Sequence, residues 1–320
     1  MDDRGLSPMR VLVTGASGFS GRHVCRTLAA AGCDVAAVVS PRSAGKDAGG
    51  IEGASVAHVC DLTDRKAVHA LCRSAAPDAI VHLAGQNAVN ESWKAPDATL
   101  AANLMSTAFL LEGARSRPGC RILVVGSMLR GAEDGLSDSL HPYGFSKTAQ
   151  VAAALAWHRW YGLSVVVAEP SNLIGPGGSL GLCGKIAVWA AGAERPAPGA
   201  RVEPFQLSSL EERRDFLDVR DAADAYVTLL LKGEPGTAYA LESGALRTLR
   251  DVKEAFDLAA AAPLPWRIGQ SSAPSPAPRD ASAAWALGWQ PRIPFERSIA
   301  DALEEQRERR CREEKGEVGT

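Results

Sequence analysis

Val11-Leu12-Val13-Thr14 runs without a break into Gly15-Ala16-Ser17-Gly18-Phe19-Ser20-Gly21, and a helical pattern follows from Arg22 to Ala31. An apolar strand feeding glycines spaced three apart and then a helix leaves few folds open. Gly15 allows a tight turn off the strand end, and Gly18 lets backbone N–H groups approach a pyrophosphate with no side chain between. Gly21 lets the helix pack close to the sheet, so that the positive end of the helix faces the phosphates. The spacing is G-x-x-G-x-x-G rather than G-x-G-x-x-G, and such a triad alone also fits an ordinary strand-to-helix turn. Its place directly after a strand at the chain start favours a dinucleotide site, with Gly15, Ser17, Gly18, Phe19, Ser20 and Gly21 as contacts.

The pattern continues as alternating strand-like and helix-like segments, which implies βα units and a doubly wound parallel sheet of Rossmann type in an α/β fold. Predicted strands are 10–14, 34–39, 55–59, 79–83, 122–125 and 165–168, with helices near 20–31, 64–75, 97–116 and 143–161. Asp64 and Asp97 suit helix starts, Pro142 a first helical turn, and Gly32 and Gly162 helix ends. Segments 46–53 and 126–141 read as loops, Gly-rich and polar respectively. After Pro170, Gly and Pro crowd 175–184 and 192–204 and the elements shorten. The expected organisation is a dinucleotide-binding domain over 1–170, with 215–235 packing back on it through an amphipathic helix at 219–232. A smaller substrate-binding lobe follows over 171–306, with a Pro/Ser-rich excursion at 263–278 and a flexible tail over 307–320.

Composition excludes several classes. With 35 Lys+Arg against 37 Asp+Glu, no global field is available to hold nucleic acid or an anionic membrane. The seven cysteines (25, 33, 60, 72, 120, 183, 311) form no C-x-x-C pair and read as reduced thiols. Neither they nor His23, His58, His69, His82, His141 and His158 show metal-ligand spacing, so no metal is expected. No apolar run reaches membrane length and the first nine residues lack a signal-peptide core. The expected setting is cytoplasmic.

Tyr143-Gly144-Phe145-Ser146-Lys147 places a phenol and an ammonium one helical turn apart on one face. A phenol near its usual pKa of about 10 is a poor acid or base at neutral pH, and a neighbouring cation favours its ionised form. Such a pair can give a proton to a substrate oxygen or take one from it. Alone, such a pair is mostly a solvated helix face. Downstream of the glycine turn, and after the strand end Val124-Val125-Gly126-Ser127, it reads as acid–base machinery.

On these residues the chain resembles the extended short-chain dehydrogenase/reductases, the NAD-dependent epimerase/dehydratase family. Further blocks carry the likeness in order: His82-Leu83-Ala84-Gly85-Gln86 beside the cofactor, Asp61-Leu62-Thr63-Asp64 on the adenine side, and Ser92-Trp93 through Pro96 to Asn103. They continue with Pro170-Ser171-Asn172-Leu173-Ile174-Gly175-Pro176-Gly177, Arg214-Asp215-Phe216-Leu217-Asp218 and Leu287-Gly288-Trp289-Gln290-Pro291. In detail the chain is most similar to GDP-4-keto-6-deoxymannose reductases. The resemblance implies Tyr143 as acid/base, Lys147 holding the nicotinamide ribose and tuning Tyr143, and Ser127 bonded to the reacting oxygen. It adds Asp61, Leu62, Leu83, Ala84, Gly85 and Pro170 to the cofactor contacts. Gln86, Asn172, Lys185 and Arg214 become substrate contacts, the last to a phosphate. It also implies a homodimer through the helices near 97–116 and 143–161, although the Trp157, Trp160, Tyr161 cluster there fits core as well as a subunit contact.

Departures from the family pattern narrow the reaction. Dehydratases carry an acidic residue directly after the Ser/Thr, whereas Ser127 is followed by Met128, Leu129 and Arg130 with no carboxylate until Glu133. The family's second phosphate arginine has no match in 271–278, leaving Arg267 and Arg279 as candidates. At the end of the second strand an NAD site usually places a carboxylate for the ribose 2′-OH. This chain reads Ser40-Pro41-Arg42-Ser43, and Ser40 with Arg42 suits a 2′-phosphate, so NADP(H) is expected over NAD. The expected activity is hydride transfer to a keto group of a nucleotide-activated sugar. The alternative is a sugar-nucleotide epimerase that oxidises and re-reduces one carbon with retained NAD, and a non-catalytic cofactor-binding protein is the reading from another class.

Overall fold

The structure is a computed structural model that describes residues 8–45, 50–129, 141–196, 199, 201–271, 275 and 277–314. Much of the expected polar loop (130–140, with Arg130) lies outside the described residues, as do 46–49 and 315–320.

Twelve strands are present among the described residues: β1 (Arg10–Thr14), β2 (Asp34–Val39), β3 (Val56–Val59), β4 (Ala79–His82), β5 (Arg121–Val125), β6 (Ser164–Pro170), β7 (Asn172–Ile174), β8 (Phe205–Leu207), β9 (Arg213–Asp218), β10 (Ala238–Leu241), β11 (Leu246–Thr248) and β12 (Trp266–Ile268). Seven of them form one sheet in the order β10-β6-β5-β4-β1-β2-β3, and every pairing in it is parallel. This is the predicted doubly wound sheet. The order reverses between β1 and β4, and in such sheets ligands lie beyond the carboxyl ends of the strands at that crevice.

The near-continuous Val/Ile/Leu/Ala character of β1, β2, β4 and β5 follows from burial on both faces. On one face Leu12, Val38, Ile80, Ile122 and Val124 pack with Val68, Leu71, Leu110, Leu111, Val151 and Ala154 of the helices Arg65–Ala75, Ser106–Ala114 and Pro142–Tyr161. Local signals set the helix ends. Asp64 accepts the N–H groups of Lys66 and Ala67 as an N-cap, and Gly162 closes the helix Pro142–Tyr161 at φ +66°. Between Pro96–Leu100 and Ser106–Ala114 the backbone widens to a π-helical turn over Ala101–Met105, which periodicity does not foresee.

The chain divides into two compact units, the first comprising 1–170, 223–241 and 281–289, and the second 171–222, 242–280 and 290–320. The second holds the sheets β11-β9-β7 and β12-β8 around a core that includes Ile186, Leu217's neighbour Phe216, Phe256, Phe295 and Ile299. One expectation is corrected here. The helix Phe295–Glu314 passes through the position where a flexible tail was expected to begin at 307. Arg307 instead grips Glu194 with two bonds, Nε to Oε2 at 2.8 Å and Nη2 to Oε1 at 2.7 Å. The Glu194 side chain is only 6% exposed.

The Arg307 bonds hold the Glu194 carboxyl below its usual range, helped by the Ala261 N–H. A depressed carboxyl contributes stability above its unfolded pKa of about 4.3 and loses it as pH falls through the folded value. Arg307→Ala should cost about 2 kcal/mol near neutrality by leaving that carboxylate unpaired. The gap between variant and wild type should close on acidification, as read by denaturant unfolding at stepped pH.

Candidate functional site

The first glycine turn is built by close approach. Gly15 sits at φ +70°, and a Cβ there would lie 2.8 Å from the Ala84 nitrogen, so the β1 turn rests directly on the segment leaving β4. A Cβ on Gly21 would fall 2.1 Å from the Gly15 oxygen and 2.7 Å from the Ala16 Cα. The helix start therefore packs on the turn itself rather than on the sheet, the contact expected from sequence. Gly18 is the N-cap of the helix Phe19–Ala30, with no side-chain bond at the cap. The first N–H groups of a helix have no intrahelical partner, which suits them to a phosphate.

Beyond β2, Ser40 caps the short helix Pro41–Ala44, accepting the Ser43 N–H, and Arg42 follows it. The guanidinium lies close enough to Asp61, after β3, to help hold that carboxyl below its usual range. The larger effects there are the bonds from the Thr63 hydroxyl and N–H, at 2.7 and 2.9 Å. Ser17, Phe19, Ser20, Leu62, Leu83 and Ala84 lie on these same turns, all following carboxyl ends of β1, β3 and β4. The Pro170 carbonyl closes β6 by accepting the Met128 N–H at 3.1 Å.

Tyr143 and Lys147 lie in the first turns of the helix Pro142–Tyr161, and both side chains are buried. Pro142 occupies the first helical position. His141 Nδ1 accepts the Gly144 N–H at 2.8 Å as an unusual N-cap, its ring 5.9 Å from that of Tyr143. Burial pushes the Tyr143 phenol up, opposed by its hydrogen bond with Ser127, while the Ser127 oxygen also accepts the Leu129 N–H at 3.1 Å. Burial drives the Lys147 ammonium down to about 7, against the pull of Glu169. This differs from the expected tuning of the phenol by the lysine. Nζ donates instead to the Val125 carbonyl at 2.8 Å and to Gln150 Oε1 at 2.6 Å.

Gln86 follows β4 and is fastened at both ends: its N–H donates to Asn103 Oδ1 at 2.7 Å and its Nε2 to the Ala88 carbonyl at 2.8 Å. Its Oε1 is a buried acceptor without a bonded partner. Gly85 beside it has no room for a Cβ, which would lie 2.6 Å from that same Asn103 oxygen. Asn103 Nδ2 also reaches the Gln86 carbonyl at 2.9 Å and the Ser146 hydroxyl at 2.8 Å, tying the β4 loop to the helix of Tyr143.

In the second unit, Asn172 donates from Nδ2 to the Asp215 carbonyl at 2.9 Å. Arg214 is paired with Glu212, Nε at 2.9 Å, so an incoming phosphate would compete with a carboxylate. Lys185 is exposed on the helix Leu182–Glu194. Trp157, Trp160 and Tyr161 form a ring cluster. Trp157 Nε1 donates to Glu112 while Trp160 stays 65% exposed. Among the described residues no group of three or more His, Cys, Asp or Glu is placed to hold a metal, and no helix is long and apolar enough to cross a membrane.

Sequence reasoning missed the polar residues beneath the pair: Thr14, His82, Asn103, Thr107 and Gln150, all fully buried. A signal was present for His82 and Asn103, each a polar residue embedded in an otherwise apolar run.

Comparison with known proteins agrees with this fold. The model of the NAD dependent epimerase/dehydratase family matches residues 11–241. A GDP-6-deoxy-D-mannose reductase of Pseudomonas aeruginosa is 31% identical over 95% of this chain and 99% of its own length. The structure of RMD from Pseudomonas aeruginosa complexed with NADPH superposes with TM-score 0.76 at 30% identity, covering 94% of this chain and 99% of that one. A Thermus thermophilus UDP-glucose 4-epimerase in complex with NAD gives TM-score 0.81 at 25% identity over 93% and 99%.

Gly21→Ala tests the turn. Its methyl meets backbone on two sides, so the turn must shift at a cost of about 1–3 kcal/mol, and nicotinamide dinucleotide should bind at least about tenfold more weakly. Thermal melting and fluorescence titration read the two effects; unchanged affinity would remove this turn from the cofactor site.

Proposed function

The chain belongs to the NAD-dependent epimerase/dehydratase family, and from that premise we propose that it is an NADPH-dependent reductase of a keto group on a nucleotide-activated sugar. The observation that carries the reading is the buried, hydrogen-bonded Tyr143–Ser127 pair with Lys147 one turn further along the same helix. The reductase name and the bound NADPH of the relatives described above support it.

Gly15 to Gly21 would hold the pyrophosphate, Asp61 and Leu62 the adenine end, and Ser40 with Arg42 the 2′-phosphate. When bound, the reduced nicotinamide supplies a hydride from C4 to the carbonyl carbon. Ser127 orients the carbonyl oxygen. Tyr143, kept protonated by burial, gives its proton to that oxygen as negative charge develops there. Lys147, near its own midpoint at neutral pH, can return a proton to the site. Gln86 offers its bondless Oε1 to a sugar hydroxyl, and Asn172, Lys185 and Arg214 are the substrate contacts proposed in the second unit.

Tyr143→Phe should leave NADPH affinity within about twofold and lower turnover by about two to four powers of ten. A screen of keto-sugar nucleotides followed at the nicotinamide absorbance reads this, and undiminished turnover removes Tyr143 from its role. An epimerase would instead purify with NAD bound and show no net absorbance change. Arg42→Ala should weaken NADPH about 10- to 100-fold, the loss of a charge-assisted bond, and leave NADH nearly untouched. Equal effects on both cofactors would contradict the 2′-phosphate assignment.

A further inference from the structure

A buried ammonium is stable only if its donors are satisfied, and the groups that satisfy Lys147 form a connected network. Gln150 Oε1 accepts from Lys147, and Gln150 Nε2 donates to Thr107 Oγ1 at 2.8 Å. His82 Nε2 meets the same Thr107 oxygen at 2.8 Å, and His82 Nδ1 meets the Thr14 hydroxyl at 2.7 Å. The Ala84 N–H donates to Thr14 Oγ1 at 3.3 Å.

The direction of every bond is fixed by one proton. The Thr107 hydroxyl donates to the Asn103 carbonyl at 2.7 Å, so its oxygen can only accept from other partners. His82 must therefore carry its proton on Nε2, leaving Nδ1 to accept from Thr14. The imidazole stays neutral because burial, reinforced by Lys147, holds its pKa down to about 3. For the same reason Gln150 must turn its amide nitrogen to Thr107 and its oxygen to Lys147. Bonds converge on Thr107 from both sides, so this is no relay for a proton. It is a clamp.

We propose that Gln150 is a positioning residue for Lys147, its amide locked by Thr107 so that the ammonium is held between Gln150 Oε1 and the Val125 carbonyl with a single N–H left for the cleft. An ammonium has three donors, and two are spent on these acceptors. The clamp also joins the lysine to the glycine turn, because Thr14 ends β1 and Ala84 supports Gly15. The part of this that concerns turnover rests on the acid–base reading above. Among the described residues the charged group that acts on Lys147 is Glu169 on β6, and Lys147 in turn disfavours protonation of the neutral His82 on β4. Tyr143 shares its helix, and the neighbouring Asn103 and Thr107 are neutral.

The test reads Lys147 directly in the free, full-length protein, by NMR titration of lysine labelled with 13C at the ε carbon and assigned with Lys147→Met. Gln150→Glu places a carboxylate against the ammonium and should raise its titration midpoint by about one pH unit or more. Gln150→Met removes an acceptor and should lower the midpoint by a similar amount. Both should reduce NADPH-dependent turnover about 10- to 100-fold through misplacement, with the pH profile moving in the same directions. If Gln150→Glu does not fold, the methionine variant decides alone. A folded variant with an unmoved lysine titration overturns the proposal. A shifted titration with an unshifted pH profile upholds the clamp and sinks the acid–base reading of Lys147, so the two failures are distinguishable.

Discussion

Three stretches of backbone meet at Gly15 with no space for a methyl group among them. The segment leaving β4 touches it from one side and the start of the first helix, at Gly21, from the other. That contact ties the two strands on either side of the sheet's reversal to the helix whose first N–H groups are proposed above to meet a phosphate. Any side chain at these positions would push apart parts that must converge on one ligand. The glycines are therefore a requirement of van der Waals distance first and of backbone conformation second.

The buried pair Tyr143 and Lys147, proposed above as the acid–base machinery, stands beside the same strand ends. Burial favours the neutral form of each, so the phenol is raised and the ammonium lowered and their pKa values move apart. Burial of that kind is stable only because polar groups beneath the helix absorb it. The first unit thus combines an apolar sheet, close-packed on both faces, with a small hydrogen-bonded polar layer under the reactive end.

Much of this was legible in the chain itself. The strands of the large sheet and the helices between them follow from hydrophobic runs and their capping residues, and β1 and β2 fall at their expected bounds. Asp64 and Pro142 mark helix starts because their chemistry leaves few alternatives. The short strands of the second unit escaped because three residues carry too little periodicity to stand out. Up to Glu314 the expected tail is helix instead, because Arg307 spends its charge on a largely buried carboxylate that the sequence does not reveal as its partner. The network under Lys147 was missed for a different reason. It consists of single polar residues drawn from five elements, and nothing in their spacing announces that they meet.

The π-helical turn at Ala101–Met105 has a consequence for how this chain can vary. Such a turn carries one residue more than an α-helical turn, and each residue advances the helix by about 100°. Asn103 lies within it and Thr107 just after it, and both must face the same neighbouring helix. Losing a single residue here would heal the helix into regular geometry yet swing Thr107 a quarter-turn from Gln150. The irregularity is thus a phase-setter, and length in this stretch is as constrained as identity.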